Sequence, residues 1–170
     1  GVDRWPGGGE VVAKHLRAVC GSVDWQSGGL PAVIKRRYVQ RQFTNKVFQT
    51  VQLAQSTGPV LVIGEPDLAV VADFGHGLFP DRSACEAASK GIKWLGLTVQ
   101  SNSANWGFNV VTKWPRADYV VVDEGEAQLA FRCRDSGDRL VARLQMEMGA
   151  ELAAVTLGQP GIGDGWTSGL

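Results

Sequence analysis

The sequence predicts an α/β fold, with a mostly parallel sheet, helices on its faces and a small β-hairpin. Continuous apolar runs, such as the one at 68–73, are typical of strands buried on both faces of a sheet. From that point onward such runs alternate with segments of helical periodicity, which is the pattern of right-handed parallel crossovers. Two earlier segments instead alternate apolar and polar residues, as the strands of a hairpin do.

Length and composition indicate an ordinary globular chain. The 170 residues are 44% hydrophobic and 20% charged, which is enough to build a core. Basic and acidic residues number 17 each, so neither a nucleic acid nor a membrane is expected as a partner. No apolar run approaches the roughly 20 residues of a membrane helix, and the first residues lack a signal-peptide pattern. The three cysteines lack CxxC spacing, which indicates a reduced, cytoplasmic setting without a zinc site.

The first third of the chain is predicted to hold one helix and the hairpin. Apolar residues recur at helical spacing over Glu10–Cys20, directly after the glycines at 7–9. The alternating segments Ala32–Val39 and Lys46–Leu53 are joined by a polar linker, which is typical of a hairpin. A further short strand is predicted at 59–63.

The remainder is predicted to alternate strands and helices. In chain order these are a strand at 68–73, a helix at Asp81–Lys90, strands at Ile92–Val99 and Tyr119–Val122, helices at Glu124–Phe131 and Asp138–Met148, and a strand at Leu152–Leu157. Asp135 or Ser136 is expected near the cap of the last helix, and Gly149 at its end.

Three blocks after predicted strands contain the candidates for chemistry. They read VVADFGHGLFP at 70–80, QSNSANWGFN at 100–109 and DEGE at 123–126. The carboxyl ends of parallel strands are where α/β sheets bind ligands. The order and content of these blocks resemble the ribokinase-like (PfkB-type) carbohydrate kinases, and most closely the heptose-kinase-like branch, whose kinase domain is often fused to a nucleotidyltransferase domain. The resemblance implies ATP- and Mg²⁺-dependent phosphoryl transfer to a hydroxyl of a sugar or sugar phosphate.

On the sugar side, the resemblance implies roles for two glycines and two basic residues. Gly7 and Gly8 precede the first helix, where the family lines its sugar site, although a simple turn explains them equally well. Lys35 and Arg37 share one face of a strand in the hairpin at about 32–53, which resembles the family's lid over the sugar. A phosphorylated sugar would suit their charge. The alternative is a solvated strand face that blocks edge pairing.

Two polar residues at the strand ends are further substrate-binding candidates. Asp73 matches the Asp of the family's Asp-Tyr-x-Lys-Gly motif, with Phe74 and His76 in place of the Tyr and Lys. The alternative is an Asp that caps a tight strand-to-helix turn. Asn102 belongs to a loop whose amides either bind hydroxyls or satisfy the loop backbone.

On the nucleotide side, the family has Asn-x-x-Glu, which organises Mg²⁺ and phosphate. Glu126 aligns with that Glu, while Asp123 replaces the Asn and adds a negative charge. The alternative is an acid pair that the dipole favours at a helix start. The segment TLGQPG at 156–161 matches the family's Thr-x-Gly-x-x-Gly, which implies phosphate contacts for Thr156, Gly158 and Gly161.

The family's Gly-x-Gly-Asp motif, which supplies an anion hole and a catalytic base, is expected to be missing. Letters of that form, GIGD at 161–164, follow the preceding motif too soon. We interpret them as part of an irregular glycine-rich tail at 159–170, with Asp164 as the base being the alternative. We then expect residues 1–158 to be a partial, truncated ribokinase-like kinase domain.

We therefore expect a carbohydrate kinase that is inactive or impaired as these residues alone. The alternative is a non-catalytic remnant that binds a ligand or forms a homodimer through the lid hairpin. A dinucleotide-binding domain is a third hypothesis, but it needs a GxGxxG turn between a strand and a helix, and the sequence has none in that context.

Overall fold

A computed structural model describes residues 7–26, 33–40, 46–53, 66–102, 105–158 and 166–168. The chain divides into two compact units. The hairpin unit consists of Gly1–Gly58 and His76–Leu78, and the sheet unit of Pro59–Gly75 and Phe79–Leu170. The strand predicted at 59–63 lies outside the described residues.

The described residues of the hairpin unit form one helix and two strands. Helix α1 spans Gly8–Leu16, and strands β1 (Ile34–Val39) and β2 (Lys46–Gln52) pair antiparallel. The predicted hairpin is therefore confirmed. The helix ends earlier than predicted, because the backbone N–H groups of Ala18 and Val19 donate to carbonyls three residues earlier, in the tighter pattern common at helix ends.

The sheet unit is an α/β structure with helices flanking a parallel sheet. Its strands are β3 (Ala69–Asp73), β4 (Leu95–Val99), β5 (Tyr119–Asp123), β6 (Leu152–Thr156) and β7 (Trp166–Ser168), and its α-helices are α2 (Arg82–Ser89), α3 (Glu124–Phe131) and α4 (Asp138–Met148). The sheet order is β3-β4-β5-β6-β7, with β3 to β6 parallel and β7 antiparallel to β6. A short 3₁₀ helix spans Val111–Lys113. The predicted mostly parallel sheet is confirmed.

The core lies between the sheet and the helices. Strand β4 buries Leu95, Leu97 and Val99, and α4 buries its apolar stripe, which includes Leu140 and Leu144. This stripe recurs at helical spacing and packs toward β6. Each such side chain that leaves water contributes about 1.5–3 kcal/mol.

The two ends of α4 test the capping predictions. Gly149 ends the helix in the left-handed conformation, with φ 61°, as predicted. Asp135 and Ser136 lie just before the N-cap position, as predicted, but Gly137 occupies that position and no side chain caps the helix there. Asp135 instead lies 3.9 Å from Arg139 and from Arg143, in exposed or half-exposed ion pairs.

Two further expectations are corrected at the borders of the sheet. Strand β3 is not buried on both faces, since Val70 is 39% exposed. The reason is its place at one end of the described strand order, with β4 as its paired neighbour. In the tail, which was expected to be irregular, Trp166–Ser168 pair with β6. Among the described helices, none is long and apolar enough to cross a membrane.

Candidate functional site at the carboxyl edge of the sheet

A cleft of about 270 Å³ opens at the carboxyl ends of the parallel strands. Its described lining consists of Phe74, Thr98, Gln100, Val121, Val122, Asp123, Glu126 and Thr156. Parallel strands all end at the same edge, so residues far apart in the sequence meet there. The cleft brings together three of the predicted residues, namely Asp123, Glu126 and Thr156.

Asp123 and Glu126 form a capping box at the start of α3. The Glu126 backbone N–H donates to Asp123 Oδ1 at 2.7 Å, and the Asp123 backbone N–H donates to Glu126 Oε2 at 3.1 Å. This reciprocal pairing satisfies two backbone donors that the first helical turn would otherwise leave unpaired. The acid pair therefore has a structural role at the helix start, as one of the two interpretations of the sequence held.

The Glu126 carboxylate is also tied to the neighbouring strand. The backbone N–H of Ser101, just beyond β4, donates to Glu126 Oε1 at 2.8 Å. Burial raises the pKa of Glu126 above its usual value, and the nearby charge of Asp123 adds to this, while the two backbone N–H bonds oppose it. Glu126 is thus a half-buried carboxylate held in one orientation at the wall of the cleft.

The donor atoms of the cleft suit a hard divalent cation. Mg²⁺ binds oxygen ligands and keeps several waters, so one or two carboxylates are enough to hold it. Asp123 is exposed, and its Oδ2 accepts no hydrogen bond from the described residues. No cluster of three or more His, Cys, Asp or Glu side chains occurs in the described part of the chain. The residues therefore fit Mg²⁺ bound largely through water, but not a closed protein cage.

The phosphate-binding candidates are described only in part. Thr156 is the last residue of β6 and pairs in register with Asp123 of β5, which places it at the cleft. Gly158 lies two residues further on and is exposed. Gly161 and Asp164 lie outside the described residues.

Asp73 is placed differently from the substrate-binding prediction. The residue is 3% exposed, and its Oδ2 lies 2.7 Å from the ammonium of Lys113 and accepts the indole N–H of Trp114 at 3.1 Å. Its Oδ1 accepts the backbone N–H of Gly75 at 3.0 Å, which is the tight turn that the alternative predicted. Because both oxygens are occupied inside the protein, the geometry supports a structural role for Asp73, and its neighbour Phe74 lines the cleft instead.

Lys113 and Trp114 were not found from the sequence, although they complete this buried network. Lys113 donates to Asp73, to the carbonyl of Phe79 at 2.7 Å and to the side-chain oxygen of Asn109. These partners match the three N–H groups of an ammonium, so a nearly buried charge is fully satisfied. Two features of the sequence could have pointed to these residues. Lys113 stands four residues after an Asn, and the adjacent Trp114 has an indole N–H that needs a partner when buried.

The asparagines of the loop after β4 hold its backbone together. Asn102 donates through its side chain to the carbonyl of Phe74 at 3.2 Å, and its backbone N–H donates to Asn105 Oδ1 at 2.7 Å. Asn105 donates to the carbonyl of Gly75 at 3.0 Å. These contacts support the interpretation that the amides satisfy the loop backbone, and Asn102 is not among the described lining of the cleft.

The remaining candidates belong to the hairpin unit. Gly7 is the N-cap of α1 and Gly8 its first residue, whereas the sequence placed both glycines before the helix, and a Cβ added at Gly7 would meet no atom within 4 Å. Partial burial of the ammonium, and then repulsion from Arg37, lower the pKa of Lys35, although the residue as a whole is exposed. Arg37 donates to the side chain of Gln49 on β2 at 3.1 Å. The role of Lys35 and Arg37 in a lid over the sugar stays a prediction.

The described fold is that of an α/β protein with a four-stranded parallel segment and a separate antiparallel hairpin. No protein-family model matches the sequence, and no curated protein matches it either. The likeness to the ribokinase-like kinases rests on the sequence motifs, and the activity that it implies is a proposal.

Proposed function

We propose that the chain is part of a ribokinase-like carbohydrate kinase, which transfers the γ-phosphoryl group of ATP to a hydroxyl of a sugar or sugar phosphate in the cytoplasm. The observation that carries the proposal is the meeting of Asp123, Glu126 and Thr156 in one cleft at the carboxyl edge of a parallel sheet. The motif resemblance assigns two of these residues to the metal and one to the phosphates.

The charge of the cleft makes the cation central to this proposal. None of its described lining residues is basic, whereas Asp123 and Glu126 are both acidic. A triphosphate would be repelled by these carboxylates without a cation between them. Bound Mg²⁺ supplies the charge neutralisation on which phosphoryl transfer depends. ATP binding to the chain should therefore require Mg²⁺.

The base for the sugar hydroxyl is not supplied by the described cleft. Asp73, whose motif faces the active site in the family, is buried against Lys113, and Asp164 lies outside the described residues. Loss of a general base typically lowers a rate by about 10²–10⁴-fold. We therefore propose nucleotide binding with little or no turnover for these 170 residues.

Calorimetric titration with ATP, with and without Mg²⁺, tests the proposal. Asp123→Asn and Glu126→Gln remove charge yet keep good capping residues, because Asn serves as an N-cap and Gln completes a capping box. Glu124→Gln is the matched control, since it removes the same charge in the same helical turn outside the described cleft lining. We expect weaker Mg²⁺-dependent binding in the first two variants only. Absence of binding by the folded parent chain would refute the proposal.

A second candidate, dimerisation through the hairpin, is favoured by the exposed apolar surface of the hairpin itself. Val47 is 67% exposed and Phe48 is 51% exposed, and Phe48 stacks on Tyr38 with ring centroids 4.0 Å apart. A two-stranded hairpin is marginal by itself, and its edges can pair with another copy. Sedimentation equilibrium of the parent and of a Val47→Ser/Phe48→Ser double variant tests this, with a monomeric parent as the contrary result.

A further inference from the structure

A chain of hydrogen bonds runs from the buried ion pair to the wall of the cleft. It begins at Lys113, whose ammonium is held by Asp73 at 2.7 Å and donates to the side-chain oxygen of Asn109. The Asn109 side chain, which belongs to a residue only 5% exposed, donates to the carbonyl of Gln100 at 3.0 Å. The buried pair therefore orients one amide, and that amide reaches the end of β4.

The main chain of Asn109 continues the connection. Its carbonyl accepts the hydroxyl of Ser101 at 2.8 Å, and the backbone N–H of Ser101 donates to Glu126 Oε1 at 2.8 Å. Gln100 is also held by its own N–H, which donates to the carbonyl of Asp73 at 2.8 Å and extends the β3–β4 ladder. Ser101 lies one residue beyond that ladder, and among the described residues it forms hydrogen bonds with Asn109 and Glu126.

We infer that Asn109 is a positioning residue of the cleft, which uses the buried Lys113–Asp73 pair as an anchor to aim the Ser101 N–H at the Glu126 carboxylate. Hydrogen bonds in a low-dielectric interior are strong and reinforce one another, so a fully satisfied network holds one geometry. A carboxylate with a fixed orientation binds a cation without losing further conformational freedom. The catalytic meaning of this inference rests on the proposed function, whereas the orientation of Ser101 does not.

Amide hydrogen exchange at residue 101 in the 170-residue chain tests the inference without any ligand. Asn109→Ala removes the amide, and Ser101→Ala removes only the hydroxyl that binds Asn109. Trp114→Phe is the matched control, because it removes a hydrogen bond to the anchoring carboxylate of Asp73 but leaves the Lys113–Asp73 pair and the hydrogen bonds of Ser101 to Asn109 and Glu126 in place. We expect the protection factor of amide 101 to fall about tenfold in the first two variants, the equivalent of one net hydrogen bond, and to stay within about twofold in the control.

An unchanged protection factor in Ser101→Ala, or an equal fall in Trp114→Phe, would overturn the inference. If Asn109→Ala does not fold, the comparison between Ser101→Ala and Trp114→Phe decides. Titration with Mn²⁺ as the probe cation adds a second readout, for which we expect weaker binding in Ser101→Ala than in Trp114→Phe. If the parent chain binds no Mn²⁺, the proposed cation site fails, and the protection factors still decide the positioning role.

Discussion

Gly75 is the position where the packing around the cleft is most sensitive to a single added carbon. The residue has φ +64°, and a Cβ built there would lie 1.8 Å from Asn105 Nδ2 and 2.8 Å from Asn109 Cγ. Gly75→Ala must therefore both strain the backbone and displace the two asparagines that hold the loop after β4. We expect this substitution to be strongly destabilising.

The magnitude follows from two contributions. A non-glycine residue in the left-handed region costs roughly 1–2 kcal/mol. Displacing Asn105 breaks its hydrogen bond to the Gly75 carbonyl and disturbs the buried Asn109 amide, which adds about 1–3 kcal/mol for polar groups left unsatisfied. The free energy of unfolding should therefore fall by about 2–5 kcal/mol, a large share of the roughly 5–15 kcal/mol that a domain has.

Urea unfolding of matched glycine variants measures this value. Gly91 has φ +78° with no atom within 4 Å of an added Cβ, so Gly91→Ala carries the backbone strain without the collision. We expect it to cost only about 1–2 kcal/mol, which leaves a difference of about 2 kcal/mol between the two variants. Equal losses of stability would show that Asn105 and Asn109 do not pack against Gly75, and would refute the reasoning.

Three further predictions follow from the described residues. Asp73→Asn should lower the free energy of unfolding in urea by about 3–5 kcal/mol, because it leaves the Lys113 ammonium buried without its partner. Glu86→Gln, which breaks an exposed pair, should cost less than about 1 kcal/mol. Similar losses of stability in the two variants would contradict this reasoning. Burial raises the pKa of Glu126 in the folded chain above its ordinary 4.5, so the folded state binds that proton more tightly than the unfolded state. The stability of the parent relative to Glu126→Gln should therefore rise as the pH falls toward 4.5, and parallel pH curves in urea unfolding would be the contrary result. Cys85 is fully buried, and burial raises the pKa of its thiol to about 12, so a thiol reagent followed by peptide mapping should find it unmodified until the chain unfolds.

The sequence predicted the ends of a helix correctly where residues at those ends define them. Helix α3 begins and ends as predicted, because Asp123 and Glu126 stand three residues apart and form their capping box within a single turn. Helix α4 ends as predicted, because Gly149 accepts the left-handed conformation more readily than other residues. Helix α4 also begins at Asp138 as predicted, although a glycine with positive φ takes the N-cap position and no side chain caps the helix there.

The candidate site was predictable in part for the same reason. The pairing of Asp123 with Glu126 is local, and the arrival of Thr156 beside them follows from the parallel order of β5 and β6. The direction of the Asp73 side chain could not be read from its motif, because its partners Lys113 and Trp114 lie some 40 residues later in the chain. The burial of β3 was overestimated because an apolar run does not reveal which strand ends a sheet.

The sequence by itself determined the alternation of strands and helices, the hairpin and the acid pair at the start of α3, because periodicity and capping act over a few residues. The tertiary structure decided which carboxylate faces the cleft and which is buried. Asp73 and Asp123 both end parallel strands, but among the described residues only Asp73 has an ammonium and an indole N–H within reach of its Oδ2. A carboxylate can be buried only where such partners meet it, and the packing of distant segments decides where they do.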